Sequence, residues 1–462
     1  MDNSDFRKHA HEIVDWMADY LDNVESLPVR AQTRPGEIAA KLAEAAPEKG
    51  EAMENIIADF KEIVLPGITN WQHPNFYAYF PANSSPPSLL AEMLTATLGA
   101  QCMLWQTSPA ATEMETRMLD WLRQLTGLPE GLHGVIQDSA SSAILCALLT
   151  AREKATEWNA NADGLAAGPA LVAYTSEHAH SATEKGAKIA GYGKANVCLI
   201  ETDERFAMRP DALARAIEED RARGCVPACV VASIGTTGVG AVDPLPAIGE
   251  ICRREGVFLH VDAAWAGSAL ILPEERWMAE GIDLADSLVF NPHKWLMVNF
   301  DCSVFYVADR GPLIDCLSIL PPYLKNEASE SGAVIDYRDW HVPLGRRFRA
   351  LKLWWVIRSY GAQGLREMIR YHVALTQQLA DRLDGDPRFE IVAPHPFALV
   401  CFRCTESDEA TTRLIEAVNN VGSVAWTGSE LNGRPMIRVS IGQRSTEQSH
   451  VDGLWDLIDQ HA

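Results

Sequence analysis

Two stretches decide the fold: VFLHVD (Val257–Asp262) and SLVFNPHKW (Ser287–Trp295). Each begins with a largely apolar run of strand length and ends in residues that carry chemistry, Asp262 in the first and Lys294 in the second. Runs of this kind are typical of parallel sheets buried on both faces. Because ligands bind at the carboxyl ends of such strands, we predict that both side chains face one crevice.

Strand-like runs and helical patterns alternate on either side of these stretches. The predicted strands are Leu171–Tyr174, Val197–Ile200, Cys229–Ile234, Val257–Val261, Ser287–Phe290 and Ser303–Val307. The predicted helices lie near 141–156, 181–190, 210–222, 244–255 and 273–280. This alternation predicts an α/β fold with a mostly parallel central sheet that helices cover on both faces.

The two ends of the chain follow other patterns. Residues 1–85 are predicted to form an N-terminal helical segment, which Ser4 or Asp5 can cap. Its apolar residues recur at helical spacing: Phe6, Ala10, Ile13, Met17, Leu21 and Val24. Packing on a second subunit is one way to bury this stripe. Residues 86–360 are predicted to form a large α/β domain, and residues 361–462 a small C-terminal α+β domain.

Composition limits the possible partners. The net charge of −22 disfavours nucleic acid and anionic membranes. No run approaches the roughly 18 apolar residues of a membrane-spanning helix, and the acidic N-terminus does not resemble a secretory signal. The ten cysteines show no zinc-ribbon spacing. We therefore expect a cytoplasmic protein with reduced thiols and no structural metal.

Lys294 and Asp262 together predict a cofactor. Lys294 follows a strand end by four residues among apolar neighbours, and such burial favours the neutral amine that a Schiff base needs. A carboxylate on the neighbouring strand can keep a pyridine nitrogen protonated. This combination predicts pyridoxal 5′-phosphate (PLP).

Other strand ends offer groups that are ambiguous one by one. Ala140 and Ser141 open a predicted helix, where backbone N–H groups can bind a phosphate or form an ordinary N-terminus. His180 follows a strand and is predicted either to stack on a cofactor ring or to serve the structure. Ser181 is predicted to cap the next helix in a capping box with Glu184. Thr237 lies where it can hydrogen-bond a ligand.

Long motifs resemble those of the PLP-dependent group II decarboxylases, and especially of the aromatic L-amino acid decarboxylases. The two most specific are LHVDAAWAGSA (Leu259–Ala269) and NPHKWLMVNFDC (Asn291–Cys302). The others are HPNFYAYFPANSS (His73–Ser85), SPAATEME (Ser108–Glu115), VIQDSAS (Val135–Ser141), AHS (Ala179–Ser181), IGTT (Ile234–Thr237) and DYRDWHVPLGRRFRALKLW (Asp336–Trp354). The similarity covers nearly the whole chain and is weakest after about residue 365.

The resemblance implies a fold type I, PLP-dependent transferase-like architecture and an obligate homodimer. In that family pattern Lys294 matches the Schiff-base lysine, Asp262 the partner of the pyridine nitrogen, and His180 the histidine stacked on the ring. The remaining matches to cofactor contacts are Ala140, Ser141, Thr237, Ala264, Asn291 and His293.

Tyr323 matches the catalytic-loop tyrosine of the family, where phenylalanine accompanies aldehyde synthases. A tyrosine there favours simple decarboxylation. The substrate side chain is expected to meet Trp71, Tyr79, Phe80, Pro81, Ala82, Gln101 and Met103, with Met103 coming from the partner subunit. The aromatic members are alternatively part of the core. Ala82 stands where the animal enzymes carry a threonine, and Gln101 and Met103 replace more apolar or aromatic residues. These differences argue against a preference for DOPA and leave Trp, Phe and Tyr open as substrates.

Two kinds of alternative function remain. Within PLP chemistry these are an aromatic aldehyde synthase or a decarboxylase of another amino acid, such as His or Glu. Outside it, a metal-dependent hydrolase could use His178, His180, His260 and Asp262. The hydrolase leaves Lys294 and the phosphate-binding pattern unexplained.

Overall fold

The structure is a computed structural model that describes residues 1–166, 168–319 and 334–462. These residues form two compact units. Unit one comprises Met1–Pro81, Gln378–Glu390 and Phe402–Ala462, and unit two comprises Ala82–Gln377 and Ile391–Cys401. The division into domains 1–85, 86–360 and 361–462 stays a prediction.

The α-helices follow one another along the whole described chain. They are α1 (Asn3–Asn23), α2 (Glu37–Lys41), α3 (Met53–Asp59), α4 (Pro86–Leu98), α5 (Pro109–Thr126), α6 (Ala140–Ala155), α7 (Ala160–Asp163), α8 (Ala182–Ile189), α9 (Pro210–Ala222), α10 (Leu245–Glu255), α11 (Pro292–Trp295), α12 (Arg310–Leu317), α13 (Arg349–Asp384), α14 (Asp408–Val421) and α15 (Gln448–His461). None of the described helices is long and apolar enough to cross a membrane.

The strands form a seven-stranded and a four-stranded sheet. They are β1 (His133–Gln137), β2 (Leu171–Ser176), β3 (Val197–Ile200), β4 (Val226–Ser233), β5 (Phe258–Asp262), β6 (Ser287–Phe290), β7 (Ser303–Val307), β8 (Phe389–Ile391), β9 (Leu399–Cys404), β10 (Thr427–Leu431) and β11 (Arg434–Ser440). The small sheet has the order β10-β11-β9-β8.

The large sheet confirms the predicted fold class. Its order is β1-β7-β6-β5-β4-β2-β3, and the neighbours from β6 to β3 run parallel. Strand β7 is antiparallel to both β6 and β1. Asp262 pairs with Ser233 on one side and Val289 on the other, so the residues after β4, β5 and β6 emerge at the same edge.

The centre of this sheet is apolar on both faces. Every residue of β5 and β6 is buried, and so is all of β4 after Val226. Successive side chains of a strand point to opposite faces, so helices or loops must cover both. Strand β4 contacts α6, α9 and α10, which supply this cover.

Unit one joins the N-terminal segment to the C-terminal residues. Val29, Phe76, Ala78 and Ala425 form a buried cluster, and the Tyr77 N–H donates to the Ala425 carbonyl over 2.7 Å. Antiparallel strands β10 and β11 belong to the same unit.

Helix α1 differs from the prediction at its cap and leaves part of its stripe exposed. Asp2, rather than Ser4 or Asp5, is the N-cap, and its Oδ1 accepts the N–H groups of both residues at 2.7 and 2.8 Å. Phe6 and Ile13 remain 59% and 42% exposed within the chain. Met17 and Leu21 are half-buried and Val24 is buried, so the described chain covers the stripe only in part.

Three further features differ from the sequence-based expectations. The segment Pro273–Ala279 is a 3₁₀ rather than an α-helix. The long helix α13 contains Gly361 at φ 64° and ψ 169°, a break that a side chain would resist. The predicted capping box at Ser181 does not form, because Ser181 makes no side-chain cap bond.

Buried histidines predict acid sensitivity. Burial lowers the pKa of His260, His293 and His341 to about 3, whereas an unfolded chain holds histidine near roughly 6.5. Between these values the unfolded chain binds more protons, so stability is present above pH ~6.5 and is lost as pH falls.

We expect the free energy of unfolding to fall as pH is lowered from 7 to 5. Replacing the fully buried His260 by Asn should reduce this slope by up to about 1.4 kcal/mol per pH unit, one proton's share, which is approached below about pH 6. Chemical denaturation at several pH values measures it. Replacing the exposed His461 by Asn controls for histidine substitution as such. An unchanged slope for His260→Asn would contradict the assignment.

Candidate active site

Lys294 lies in the short helix α11, directly after strand β6. Its N–H donates to the Asn291 carbonyl over 2.9 Å. Its own carbonyl accepts from Nδ2 of Asn83, also over 2.9 Å. Trp295 and Leu296 beside it are buried. The backbone of Lys294 is therefore held from both sides in apolar surroundings.

Asp262 ends strand β5 at the sheet edge and is 8% exposed. One carboxylate oxygen, Oδ1, accepts the N–H of Ala264 over 3.0 Å. The Ala264 carbonyl in turn accepts the N–H of Asn291 over 3.0 Å. These bonds tie the segment after β5 to the segment after β6, and so fix Asp262 relative to α11.

His180 lies near both groups, as the sequence predicts. Partial burial of its ring lowers its pKa, the Asp262 carboxylate opposes this shift, and the Lys294 ammonium adds to it. The N–H of Ala182 donates to Nδ1 over 3.1 Å. Nδ1 is thus an acceptor, and the proton of the neutral imidazole belongs on Nε2. His180 also takes over the start of α8 that Ser181 leaves uncapped.

A tight turn after β4 places Thr237 at the same edge. Gly235 has φ 80°, and a Cβ on it would come within 2.6 Å of the Ala266 Cβ, so this position needs glycine. Thr236 is buried, and its Oγ1 accepts the Ala241 N–H over 2.9 Å. Thr236 therefore serves the turn, and Thr237, which is partly exposed, stays the candidate for ligand contact.

The start of helix α6 has the geometry of an anion site. Ser139 is its N-cap, and it accepts the N–H groups of Ser142 through Oγ at 3.3 Å and of Ala143 through its carbonyl at 3.2 Å. The N–H groups of Ala140 and Ser141 precede these, at positions where a helix supplies no internal acceptor. They can donate to an external anion.

Asn291 and His293 are buried beside Lys294. The Oδ1 atom of Asn291 accepts from the Ser303 hydroxyl over 2.5 Å, so its amide nitrogen is the group that can donate to a ligand. His293 accepts the Cys302 N–H at Nδ1 over 2.9 Å. Burial is the main cause that lowers the His293 pKa to about 3, so the ring is neutral near pH 7.

Side chains of the segment 83–92 hold the irregular loop that follows Lys294. Ser85 Oγ donates to the Met297 carbonyl over 2.6 Å. Ser88 Oγ accepts the Asn299 N–H over 2.8 Å and also bonds the Asn299 side chain. Glu92 accepts from Asn299 Nδ2 over 3.4 Å. Ser85, Ser88 and Glu92 follow helical spacing, so one face of α4 and its cap contacts the loop.

Unit one contains the aromatic residues predicted to bind the substrate. Trp71 stacks on Tyr79 with ring centres 5.7 Å apart and packs on Phe76 at 4.4 Å. Tyr79 is 59% exposed and has φ 55°. Phe80 is buried under the Arg438 guanidinium at 5.3 Å. Tyr79 is thus exposed, whereas Trp71 is half-buried and packs against the buried cluster that contains Phe76. The role of the pair toward a substrate stays a prediction.

Pro81 is the last residue of this segment in unit one. Its ring packs so closely on Gly442 that a side chain at that position would have no room. In unit two, partly buried Ala82 follows it in the chain. Gln101 Oε1 accepts the Arg346 N–H over 2.7 Å, and the Met103 carbonyl accepts the Arg338 N–H over 3.0 Å. Neither contact tests their predicted role toward a substrate.

Two further sequence-based interpretations concern Tyr323 and a metal site. Tyr323 lies outside the residues that the structure describes. Among the described residues no three or more His, Cys, Asp or Glu side chains gather in a group that could hold a metal ion. His260 bonds Ser287 over 2.8 Å, and His178 meets Phe206 edge-on, so neither joins His180 and Asp262 in a ligand cluster.

The groups that do gather fit PLP chemically. An amine, a carboxylate, an imidazole and helix-terminal N–H groups match its aldehyde, pyridine nitrogen, ring face and phosphate in turn. Asp262 and His180 supply one carboxylate and one imidazole, and among the described residues no third His, Cys, Asp or Glu joins them in a group that could hold a metal ion.

Sequence reasoning missed the buried ion pair beneath the start of α6. Arg346 donates to Glu115 over 2.6 Å and to the Ile136 carbonyl over 2.9 Å, and both charged side chains are almost fully buried. Glu115 also accepts the Ile136 N–H over 2.8 Å. The ion pair therefore binds the backbone of β1 at Ile136, a short distance before Ser139 in the chain. A signal that could have pointed to it is the close spacing of Arg346, Arg347 and Arg349 in the sequence.

Comparisons with known proteins identify the family of the chain. A family model described as the pyridoxal-dependent decarboxylase conserved domain matches residues 35–405. The chain is 42% identical to phenylacetaldehyde synthase of Arabidopsis thaliana, covering 100% of this chain and 96% of that protein. It is also 42% identical to aromatic-L-amino-acid decarboxylase of Mus musculus, covering 100% and 98%.

A solved structure agrees over the same length. The crystal structure of Oryza sativa TDC with PLP and tryptamine superposes with a TM-score of 0.97 at 37% identity, covering 100% of this chain and 98% of that one.

Breaking the buried ion pair should be costly. We expect Arg346→Leu to lower the free energy of unfolding by about 3–5 kcal/mol, because it leaves Glu115 charged and buried. The double variant Glu115→Leu with Arg346→Leu should lose clearly less than the sum of the single variants. Chemical denaturation measures both. Arg253→Leu, which breaks an exposed pair with Glu250, should change stability little. Additive losses would disprove the coupling.

Proposed function

This chain belongs to the pyridoxal-dependent decarboxylase family, and we propose from that membership that it decarboxylates an aromatic L-amino acid to the arylalkylamine and carbon dioxide. Its cofactor is PLP, and it is a carboxy-lyase. The observation that carries the proposal is the meeting of Lys294, Asp262 and His180 after β6, β5 and β2.

We propose the following cofactor contacts. Lys294 would hold the cofactor through its amine, and the amides of Ala140 and Ser141 with the side chain of Asn291 would bind its phosphate. His180 and Ala264 would flank the ring, with Thr237 and His293 beside it. The bonds that fix Asn291 and Ala264 to each other support a single arrangement of these groups.

When bound, PLP supplies an aldehyde for the substrate amine and an electron-withdrawing ring that weakens the bond to the carboxylate. Asp262 keeps one oxygen on the Ala264 N–H and would hold a proton on the pyridine nitrogen with its carboxylate. His180, with its proton on Nε2, would donate a hydrogen bond at the reacting centre. Apolar neighbours of Lys294 would exclude water and strengthen these charge interactions.

The substrate side chain is the part least defined by the cofactor residues. We propose that Trp71, Tyr79, Phe80, Pro81 and Ala82 contact it, together with Gln101 and Met103. The exposed ring of Tyr79, stacked on the half-buried ring of Trp71, supports an aromatic partner. Relatives named for aromatic L-amino acids support the same class.

We further propose a homodimer in the cytoplasm. The exposed apolar residues Phe6 and Ile13 on α1 need cover, and a second copy of the chain can supply it. Met103 would then act in the partner's site. All ten cysteines are free in the structure, which fits a reducing compartment.

An aldehyde synthase is the second candidate, because phenylacetaldehyde synthase of Arabidopsis thaliana is a relative of this chain. Such an enzyme converts the amino acid, oxygen and water to aldehyde, carbon dioxide, ammonia and hydrogen peroxide. Tyr323 favours the decarboxylase, since the family resemblance pairs phenylalanine with the synthase.

We expect PLP-loaded protein to convert at least one of L-Trp, L-Tyr, L-Phe and L-DOPA to its amine with little peroxide. Lys294→Ala should lower this turnover at least about a thousandfold, while Lys185→Ala, an exposed lysine on α8, should match the wild type. Chromatography of amine, aldehyde and peroxide measures all three. Product from L-His or L-Glu alone would refute the aromatic class, and steady activity of Lys294→Ala would refute the role of that lysine.

Replacing Tyr323 by Phe should divert product toward aldehyde and peroxide, because the variant lacks the hydroxyl that we propose returns a proton to carbon. The ratio of aldehyde to amine, with peroxide measured in parallel, reports the diversion. Tyr360→Phe serves as a matched control for loss of a tyrosine hydroxyl elsewhere. Amine as the sole product at the normal rate would exclude the proposed role of Tyr323.

A further inference from the structure

Within the segment 83–92, Asn83 makes a side-chain hydrogen bond to Lys294 itself. Its side chain is fully buried, and its Nδ2 donates to the carbonyl of Lys294 itself over 2.9 Å. Ser85 is equally buried, but it donates to Met297, three residues further along. Two adjacent contacts of one kind thus reach different points of the same loop.

The Lys294 carbonyl needs such a donor because its helix is short. Helix α11 has four residues, and its internal bond runs from the Leu296 N–H to the Pro292 carbonyl over 3.1 Å. The last carbonyls of a helix have no intrahelical partner, and a buried carbonyl without one is costly. Asn83 therefore supplies from a distant part of the chain what a longer helix would supply itself.

We propose that Asn83 is a positioning residue for the reaction, which fixes the direction in which Lys294 presents its amine. This inference rests on the proposed function. The Lys294 N–H is anchored on Asn291 and its carbonyl on Asn83, so the peptide planes on both sides of its Cα are held. The orientation of these planes sets the direction of the side chain.

The location of Asn83 adds a second consequence. It follows Ala82, which we expect beside the substrate side chain, and Ser85 and Ser88 continue the attachment to the loop. The same short segment would therefore meet the substrate and hold the lysine. A shift of this segment would alter both the place of the substrate and that of the amine.

The test compares Asn83→Ala with Ser85→Ala in the PLP-loaded protein. Each removes one buried hydrogen bond to a carbonyl of the loop, so thermal unfolding should register both changes. Only Asn83→Ala should lower kcat, by about 10- to 100-fold, with KM within about twofold. The visible absorption of the bound cofactor changes with pH, and its midpoint reports protonation at the nitrogen of Lys294. We expect this midpoint to shift by at least about half a pH unit in Asn83→Ala alone.

Equal effects of both variants on kcat and on the absorption midpoint would overturn the proposal, since general stiffness of the loop would then explain them. Wild-type values for Asn83→Ala would overturn it as well. If that variant does not fold, Asn83→Ser retains a donor on a shorter arm and should show the same shifts at smaller size. Absence of turnover of any aromatic amino acid by the wild type would refute the proposed function, while the absorption midpoint would still test Asn83.

Discussion

The pairing of β5 with β4 on one side and β6 on the other is the constraint on which the site depends. Asp262 pairs with Ser233 and with Val289, so three chain segments leave the sheet at one level. Burial on both faces makes this register costly to change, because a slip by one residue would turn every side chain to the opposite face. The strands thereby set the spacing between the carboxylate, the turn and the lysine, so this spacing does not depend on the conformation of the loops alone.

Beyond the strand ends, single hydrogen bonds from side chains and backbone groups hold the chain where regular secondary structure stops. The Ala264 carbonyl holds the Asn291 N–H, the His293 ring holds the Cys302 N–H, and Ser85 and Ser88 hold the loop between them. A buried loop must satisfy its backbone groups, and here the partners are amide, imidazole and hydroxyl groups of distant residues. The His180 ring also has more than one neighbour of this kind. It lies near Asp262 and Lys294, and it accepts the first N–H of α8. For His180, the structural role and the predicted role toward the cofactor are therefore compatible.

The sequence predicted what is periodic or local. Strands β3, β6 and β7 have the predicted bounds, because continuous apolar runs mark buried strands. It missed β1 and β10, since His133–Gln137 and Thr427–Leu431 mix glycine with polar residues. It also missed the roles of Asn83 and Arg346, whose hydrogen-bond partners lie 211 and 231 residues away. Neither composition nor spacing records such contacts. The motif resemblance named Lys294, Asp262 and His180, but it could not show which neighbours hold them.

The position of Asn83 in the chain bears on how this scaffold can change its substrate. Tyr79, Phe80 and Pro81 precede it within four residues, and Ala82 is its neighbour. A substitution that enlarges or shrinks the region of Ala82 acts on the backbone that carries the Asn83 amide, and the hydrogen bond to Lys294 depends on that amide within a few tenths of an ångström. Side chains before Asn83 can vary in shape only as far as this bond survives. Selection for a new side-chain preference is therefore expected to work through Tyr79, where exposure leaves room, before it reaches residues adjacent to Asn83.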